Sequence, residues 1–163
     1  MRKLWKNLLL VVLAATVAVS AVACSGSKSV EVTGYYISKT NGEPYDGPYG
    51  EVTMINGSTL VVYSDNTYAY TTDIGMGFGS LILGSTHTTM YGTYTAEKDE
   101  DAGTIVYALS DPTRVIYICT VPTQEAFKDS NDENTLGDDT LADFMANYKG
   151  TTVTVNVETG VII

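Results

Sequence analysis

The sequence predicts a mostly β domain: a single antiparallel meander that curls into a barrel or a sandwich, with one short helical insertion before its last strand. Runs of about five to eight β-branched or aromatic residues recur along the chain, and clusters of Gly, Asn, Asp and Pro separate them. All twelve tyrosines lie after residue 23, and tyrosine and threonine favour strands. One stretch near the end of the chain has helical spacing instead.

The apolar runs predict strands at residues 33–38, 51–55, 59–64, 67–73, 86–96, 103–109, 114–121 and 151–158. Asn56-Gly57 supplies the positive φ angles of a tight hairpin, and Asp65-Asn66 serves the same purpose between the next two runs. Pro112 breaks the chain between two other runs because it cannot donate to a β-ladder.

The helical insertion is predicted at about residues 123–149. The side chains that follow helical spacing there are Glu125, Ala126, Phe127, Leu141, Ala142, Phe144, Met145 and Tyr148. Gly150 then fits the end of a helix.

The first 23 residues have the layout of an export signal: a cationic head followed by an apolar run from Leu8 to Ala23. That run is shorter than the roughly 20 residues that a membrane-spanning helix needs. The sequence Ala21-Val22-Ala23-Cys24 resembles the lipobox of bacterial lipoproteins, in which the cysteine receives a diacylglycerol before cleavage. The alternative is an ordinary signal peptide that leaves a free cysteine.

The lipobox resemblance implies a domain division and a location. Residues 1–23 would be the signal peptide, residues 24–32 a lipidated flexible tether, and residues 33–163 the β-rich domain. Membrane lipid would hold the protein through Cys24, on the outer side of the cell membrane or at the outer membrane. The seven residues from Cys24 to Val30 reach at most about 25 Å, so the domain would work close to a bilayer.

The charge of the mature chain excludes one class of partner. The full chain has nine Lys and Arg against 19 Asp and Glu, and three of the basic residues fall within the signal. The remaining charge of −13 repels phosphate backbones, so nucleic acid is not an expected partner.

The tyrosine-rich strands carry a second resemblance, which covers about residues 34–121. Leu60-Val61-Val62-Tyr63-Ser64-Asp65-Asn66-Thr67-Tyr68 and the later Tyr91-Gly92-Thr93-Tyr94-Thr95 resemble the strand cadence of small lipocalin-like bacterial lipoproteins. Gly34-Tyr35-Tyr36 lies where lipocalins begin with Gly-x-Trp, although this chain has no tryptophan there. The resemblance implies a β-barrel or half-barrel that holds an apolar ligand.

The candidate ligand-binding residues are Met76, Phe78, Leu81, Tyr70 and Tyr107. The first three belong to the glycine-rich apolar segment 75–84, which is interpreted as a lip over the barrel mouth. Tyr70 and Tyr107, together with Cys119, would line the cavity. The alternative for segment 75–84 is a glycine-softened connection that leads into a buried strand.

The acidic loop, residues 128–143, offers a partial calcium-binding pattern. Counting from Asp132, its candidate ligands are Asp132, Asn134, Asp138 and Asp143. Leu136 occupies a ligand position and Asp143 replaces the usual glutamate, so the alternative is a solvated loop in which Asp138 or Asp139 caps the next helix. Calcium is the only cofactor that the sequence suggests.

No catalytic motif occurs, and we expect a protein that is not an enzyme. His87 is the only histidine, and no nucleophile elbow accompanies it or Cys119. The leading hypothesis is the binding of a small apolar ligand by a membrane-anchored protein. The alternative is an envelope-structural or interaction module that uses an acidic, tyrosine-rich surface on protein or glycan. An enzyme would require His87 to lie in a cleft with acidic partners.

Overall fold

The computed structural model describes residues 29–41, 45–47, 50–78, 81–121 and 124–163. The predicted signal peptide and Cys24 lie outside the described residues, so the lipidation hypothesis is not tested by the fold. Among the described residues, no helix has the length and apolar character needed to cross a bilayer.

The fold is mostly β, as predicted. The described residues form ten strands: β1 Val32–Asn41, β2 Tyr45–Gly47, β3 Gly50–Tyr63, β4 Thr67–Phe78, β5 Leu81–Asp99, β6 Thr104–Leu109, β7 Arg114–Val121, β8 Gln124–Asp129, β9 Thr152–Asn156 and β10 Val161–Ile162. A 3-10 turn at Glu133–Thr135 and the helix α1 at Leu141–Ala146 lie between β8 and β9.

Seven of the described strands close into a barrel, in the order β1-β3-β4-β5-β6-β9-β10 and back to β1. The pairs are antiparallel except at the seam, where β1 and β10 meet in parallel with Ile37 opposite Val161. Closure leaves these strands without free edges, which is the benefit of a barrel.

Three barrel strands, β3, β4 and β5, are longer than the barrel wall and continue beyond it. β5 pairs with β6 through its second half and with β7 through its first half, from Ser85 to Tyr91. β7 then pairs with β8, and β2 pairs with the start of β3. We call this open continuation of the sheet, formed by β2, β7, β8 and the adjoining parts of β3, β4 and β5, the extension.

The barrel interior is packed with side chains. One core cluster consists of Tyr36, Leu60, Val62, Tyr68, Tyr107, Leu109, Val153 and Val155. A second, smaller cluster joins Val115 of β7 to Leu136 and to Phe144 of α1. The insertion before β9 therefore covers the sheet where the barrel passes into the extension.

Two glycines allow tyrosine rings to lie against the sheet. A Cβ on Gly34 would lie 2.7 Å from the Tyr36 ring, and a Cβ on Gly92 would lie 2.8 Å from the ring of Tyr68 on the neighbouring strand. Both tyrosines are buried, so each glycine provides the space that an aromatic core residue needs.

Three local predictions were wrong: the hairpin at Asn56-Gly57, the helix at residues 125–127 and the helix end at Gly150. Asn56-Gly57 is not a hairpin but the middle of β3, where Gly57 is paired with Lys39 on one side and with Asp73 on the other. The helical interpretation of Glu125, Ala126 and Phe127 also fails, because these residues form strand β8. The insertion is helical only at the 3-10 turn and in α1.

Other turn predictions are confirmed. Asn66 has a φ of 63°, as a tight turn between β3 and β4 requires. The Ser110–Pro112 break separates β6 from β7. Gly150 does not end the helix, which is capped by Asn147. Its Cβ would lie 2.3 Å from the carbonyl oxygen of Leu109, so the position requires a glycine for close packing of two backbones.

Candidate functional site

The predicted cavity residues are not brought together around one space. Tyr107 is 5% exposed in the barrel core, and its hydroxyl lies 3.1 Å from the hydroxyl of Tyr36. Burial, followed by this hydrogen bond, raises the pKa of Tyr107 well above its usual value. Tyr70 is half-buried and packs against the same core cluster. Cys119 lies on β7, in the extension, and is half-buried.

On the sheet face that continues from the barrel interior, the row of residues next to Tyr70 on the side of the extension is polar. Ser58, Thr72 and Thr88 are register partners on β3, β4 and β5, and each is half-buried. Tyr117 of β7 is paired with Thr88. A hydrogen bond with the Cys119 thiol raises the pKa of Tyr117. These polar groups separate the filled core from the sheet beyond it.

Beyond the polar layer, the same face of the extension becomes apolar. Ile74 is 48% exposed, Met76 is 40% exposed and Val121 is 39% exposed. Gly84 lies between Met76 and Val121 in register, and its Cβ would lie 3.2 Å from a Val121 methyl group. Cys119 belongs to the neighbouring row with Ile74. We call Ile74, Met76, Cys119 and Val121 the extension patch.

The predicted lip is the end of a hairpin, not a connecting segment. Phe78 and Leu81 are register partners at the far end of the β4–β5 pair, and Met76 lies two residues before Phe78 on β4. The alternative of a glycine-softened connection is therefore wrong for residues 75–78, which belong to β4, whereas its expectation that the segment leads into a strand agrees with β5, which begins at Leu81.

The predicted lip lies far from the end of the sheet at which β1 begins. The backbone N–H and the carbonyl of Glu31 bond the side chain and the N–H of Ser64, respectively, next to the β3–β4 turn. Eight residue steps along β3 separate Val62, near that turn, from Met54, the register partner of Met76. This distance is about 26 Å.

The opposite face of the extension carries a polar chain that sequence reasoning missed. Asp73 and His87 are register partners on β4 and β5, with 2.5 Å between Oδ1 of Asp73 and Nδ1 of His87. The other ring nitrogen of His87 lies 3.5 Å from the Thr89 hydroxyl, which lies 3.0 Å from the hydroxyl of Thr71. Asp73 and His87 are about half exposed, whereas Thr89 is buried.

A shallow depression of about 290 Å³ runs along this part of the β4–β5 hairpin. It is lined by Asp73, Ile74, Gly75, Met76, Ser85, Thr86 and His87. The depression is bordered by both faces of the hairpin, because Ile74, Met76 and Thr86 lie on the face of the extension patch, whereas Asp73, Gly75, Ser85 and His87 lie on the opposite face. It is too open to hide a whole ligand from water, but it can hold part of an apolar one.

Several carboxylates of the acidic loop form hydrogen bonds or ion pairs with neighbouring residues of the same loop. The Asp132 carboxylate accepts from the backbone N–H and the side-chain amide of Asn134. Thr140, not Asp138 or Asp139, is the N-cap of α1, and its hydroxyl bonds Asp143. Asp139 pairs with Lys128. In the part of the chain that the structure describes, no three His, Cys, Asp or Glu side chains are grouped to hold a metal ion.

One partly buried ion pair anchors the acidic loop. The guanidinium of Arg114 donates to both carboxylate oxygens of Asp129, at 3.1 and 2.7 Å. The N–H of Asn131 donates to the same carboxylate. The hydrogen bond from Arg114 holds the pKa of Asp129 below its ordinary value, and the Asn131 N–H contributes in the same direction.

Comparisons of this chain with protein-family models, curated proteins and solved structures found no match. The site is therefore defined by the residues themselves: an apolar patch on one face of the extension and a polar pair on the other.

Proposed function

We propose that this protein is a membrane-anchored, extracytoplasmic lipoprotein that binds a small apolar ligand and does not catalyse a reaction on it. We further propose that the ligand contacts the extension patch. One observation carries the proposal: Ile74 and Met76 of β4 and Val121 of β7 expose apolar area on one face of the sheet, with Gly84 of the intervening strand β5 between Met76 and Val121. A contiguous exposed apolar surface of this kind usually marks a contact site.

The packed barrel is the reason for choosing the extension over the barrel interior. A lipocalin-like site would need an empty space beside Tyr107, and that ring instead contacts Tyr36 and Tyr94, with centroids 5.6 and 5.3 Å away. The hydroxyl pair between Tyr36 and Tyr107 further fixes the packing. A ligand in the barrel would have to displace these rings.

The burial of the hydroxyl next to the Asp73–His87 pair favours a binding function over a catalytic one. A histidine held by a carboxylate resembles part of a nucleophilic triad, and the third hydroxyl would then be that of Thr89. Thr89 is 9% exposed and its hydroxyl is shared with Thr71, so a substrate carbonyl has little access to it. We assign the pair to the polar surface on the opposite face of the sheet from the ligand site.

Titration with an apolar fluorescent probe tests the ligand site. The double variant Ile74→Ser/Met76→Ser should lose most of the probe's fluorescence enhancement, because its apolar contact area is removed. The matched control Phe127→Ser changes a residue of the same extension that is 49% exposed and lies on the opposite face of the sheet. It should bind like the unchanged protein.

Two results would refute the assignment. Unchanged probe binding by Ile74→Ser/Met76→Ser, with an unchanged circular dichroism spectrum, would exclude the extension patch. Loss of binding in Tyr107→Phe alone would return the site to the barrel interior. Mass spectrometry of the mature N-terminus tests the anchor separately, since an unmodified Cys24 would exclude lipidation without affecting the ligand site.

The filled barrel also favours a second candidate, an envelope module that binds another protein. β8 is the last strand at one end of the sheet among the described residues, and its Phe127 is exposed. An end strand can pair with an extended segment of a partner. A photo-crosslinking side chain at position 127 should then capture a protein in the cell envelope, whereas the same group at the exposed Thr95 of the barrel should not. Equal capture at both positions would exclude this role for β8.

A further inference from the structure

The outer wall of the barrel carries a second exposed apolar surface, at the seam between β1 and β10. Tyr35 is 46% exposed, Ile37 is 47% exposed and Val161 is 40% exposed. Ile37 and Val161 are parallel register partners, and both point away from the core because their neighbours Tyr36 and Ile162 pack into it. We call Tyr35, Ile37 and Val161 the seam patch.

The register partners of the seam patch are uncharged. Tyr35 and Ile37 are paired with Val61 and Thr59 of β3. On the other side, Val161 is paired with Asn156 of β9. An apolar surface bordered by such residues can lie against lipid without burying a charge. This property matters in a mature chain with a charge of −13, because carboxylates facing an anionic bilayer would be repelled.

The tether leads directly to this surface. Val30 and Val32 precede the seam patch on the same chain, and they are 53% and 44% exposed. Seven residue steps from Val30 to Ile37 cover about 23 Å of extended chain. The sequence from Cys24 to Val30 reaches at most about 25 Å. A lipid on Cys24 would therefore allow this wall of the barrel to reach the bilayer, because the tether is as long as the stretch of chain from Val30 to Ile37.

We propose that the seam patch rests on the membrane, so that the lipidated protein lies with its β1–β10 wall against the bilayer surface. The proposal rests on the lipidation of Cys24 and commits to lipid as the occupant of the patch. The two acyl chains of a diacylglycerol on Cys24 would already give a stable attachment, and an apolar contact of the domain with the bilayer would fix its orientation.

The absence of tryptophan from the mature chain allows a direct test, because Trp5 is the single tryptophan and belongs to the signal. Ile37→Trp places a reporter in the seam patch, and Thr95→Trp places a matched reporter on β5, three strands away from the seam in either direction around the barrel. Both positions are exposed. The lipidated proteins are reconstituted in phosphatidylcholine vesicles, with and without brominated acyl chains.

Contact with lipid predicts that Ile37→Trp emits at shorter wavelength and loses roughly half of its emission in brominated vesicles. Thr95→Trp should emit as it does in water. Equal quenching at both positions, or no quenching at Ile37→Trp, would overturn the proposal. A shift to shorter wavelength that persists without vesicles and disappears on dilution would assign the patch to a contact between two copies of the chain.

A second arm separates this proposal from the proposed lipidation. Failure of the natural chain to float with vesicles would refute lipidation of Cys24. The mature chain carrying Cys119→Ala can then be coupled to a maleimide lipid through Cys24, which attaches it to the vesicle by chemistry alone. Quenching at Ile37→Trp but not at Thr95→Trp in this coupled protein supports the membrane-facing wall, and the reverse or equal pattern refutes it.

Discussion

Removing the paired hydroxyls of Tyr36 and Tyr107, singly and together, tests whether the barrel interior is packed as a core. The two hydroxyls lie 3.1 Å apart between residues that are 8% and 5% exposed. Either single change to Phe leaves the other hydroxyl buried without its partner, at a cost of about 1–3 kcal/mol. The double change removes both polar groups while keeping both rings, so it should cost no more than one single change. The coupling energy is therefore expected to be at least as large as the cost of one single change, about 1–3 kcal/mol.

Urea unfolding of the mature chain, followed by circular dichroism, measures this cycle. Tyr35→Phe is the matched control on the same strand, because its ring is exposed, and it should change the free energy of unfolding by less than about 0.5 kcal/mol. Costs for the two buried tyrosines that add to within about 0.3 kcal/mol would refute the reasoning. That result would mean that water or ligand space lies beside the rings.

Three further predictions concern the rest of the fold. Gly150→Ala should destabilise the protein by several kcal/mol in thermal unfolding, because the new Cβ would lie 2.3 Å from a backbone oxygen. The control Gly57→Ala lies in the middle of a strand, where the nearest atom to a Cβ would be 3.6 Å away, and it should be neutral or slightly stabilising. A destabilising Gly57→Ala would contradict the continuous strand β3. Asp129→Asn should cost about 2 kcal/mol in urea unfolding at pH 7, and Asp138→Asn, on an exposed residue, almost nothing. Because the folded-state pKa of Asp129 is lowered, its stabilisation is present above the ordinary carboxyl pKa of about 3.9 and disappears as the pH falls through the lowered value, so a cost that stays constant down to pH 2 would contradict it. Calcium should leave the melting temperature unchanged, since contacts within the acidic loop already use its carboxylates, and a saturable increase would contradict this expectation.

The mostly β fold could be predicted because its strands are rich in β-branched and aromatic residues, and because Asn66 and Pro112 act locally. A hairpin at Asn56-Gly57 is what a local interpretation gives, but Gly57 has a strand on both sides, and those pairings outweigh its turn preference. The sequence predicts helix instead of strand within β8, because a six-residue segment fits helical and strand periodicity equally well. Pairing with β7 decides between them.

The Asp73–His87 pair could not be predicted for a more specific reason. At the end of the hairpin, Phe78 is paired with Leu81 and Gly77 with Ile82, a register that would place Asp73 opposite Thr86. Leu83 is an extra residue at that point and moves the pairing by one position, which brings His87 opposite Asp73. A shift of one residue exchanges the two faces of a strand, so the location of this bulge, which the sequence does not mark, determines the polar site.

The topology connects the two surfaces that the proposals use. β5 lies across the barrel from the β1–β10 seam, and the inner face of a barrel wall points toward the opposite wall. β4 and β5 continue into the extension, so the extension patch opens toward the side on which the seam lies. If the seam patch rests on lipid, the extension patch faces the same bilayer. The anchored protein should then take an apolar probe out of vesicles faster than Tyr35→Ser/Ile37→Ser does, while both bind the probe equally from water. Equal transfer rates from vesicles would show that membrane contact and ligand binding are independent.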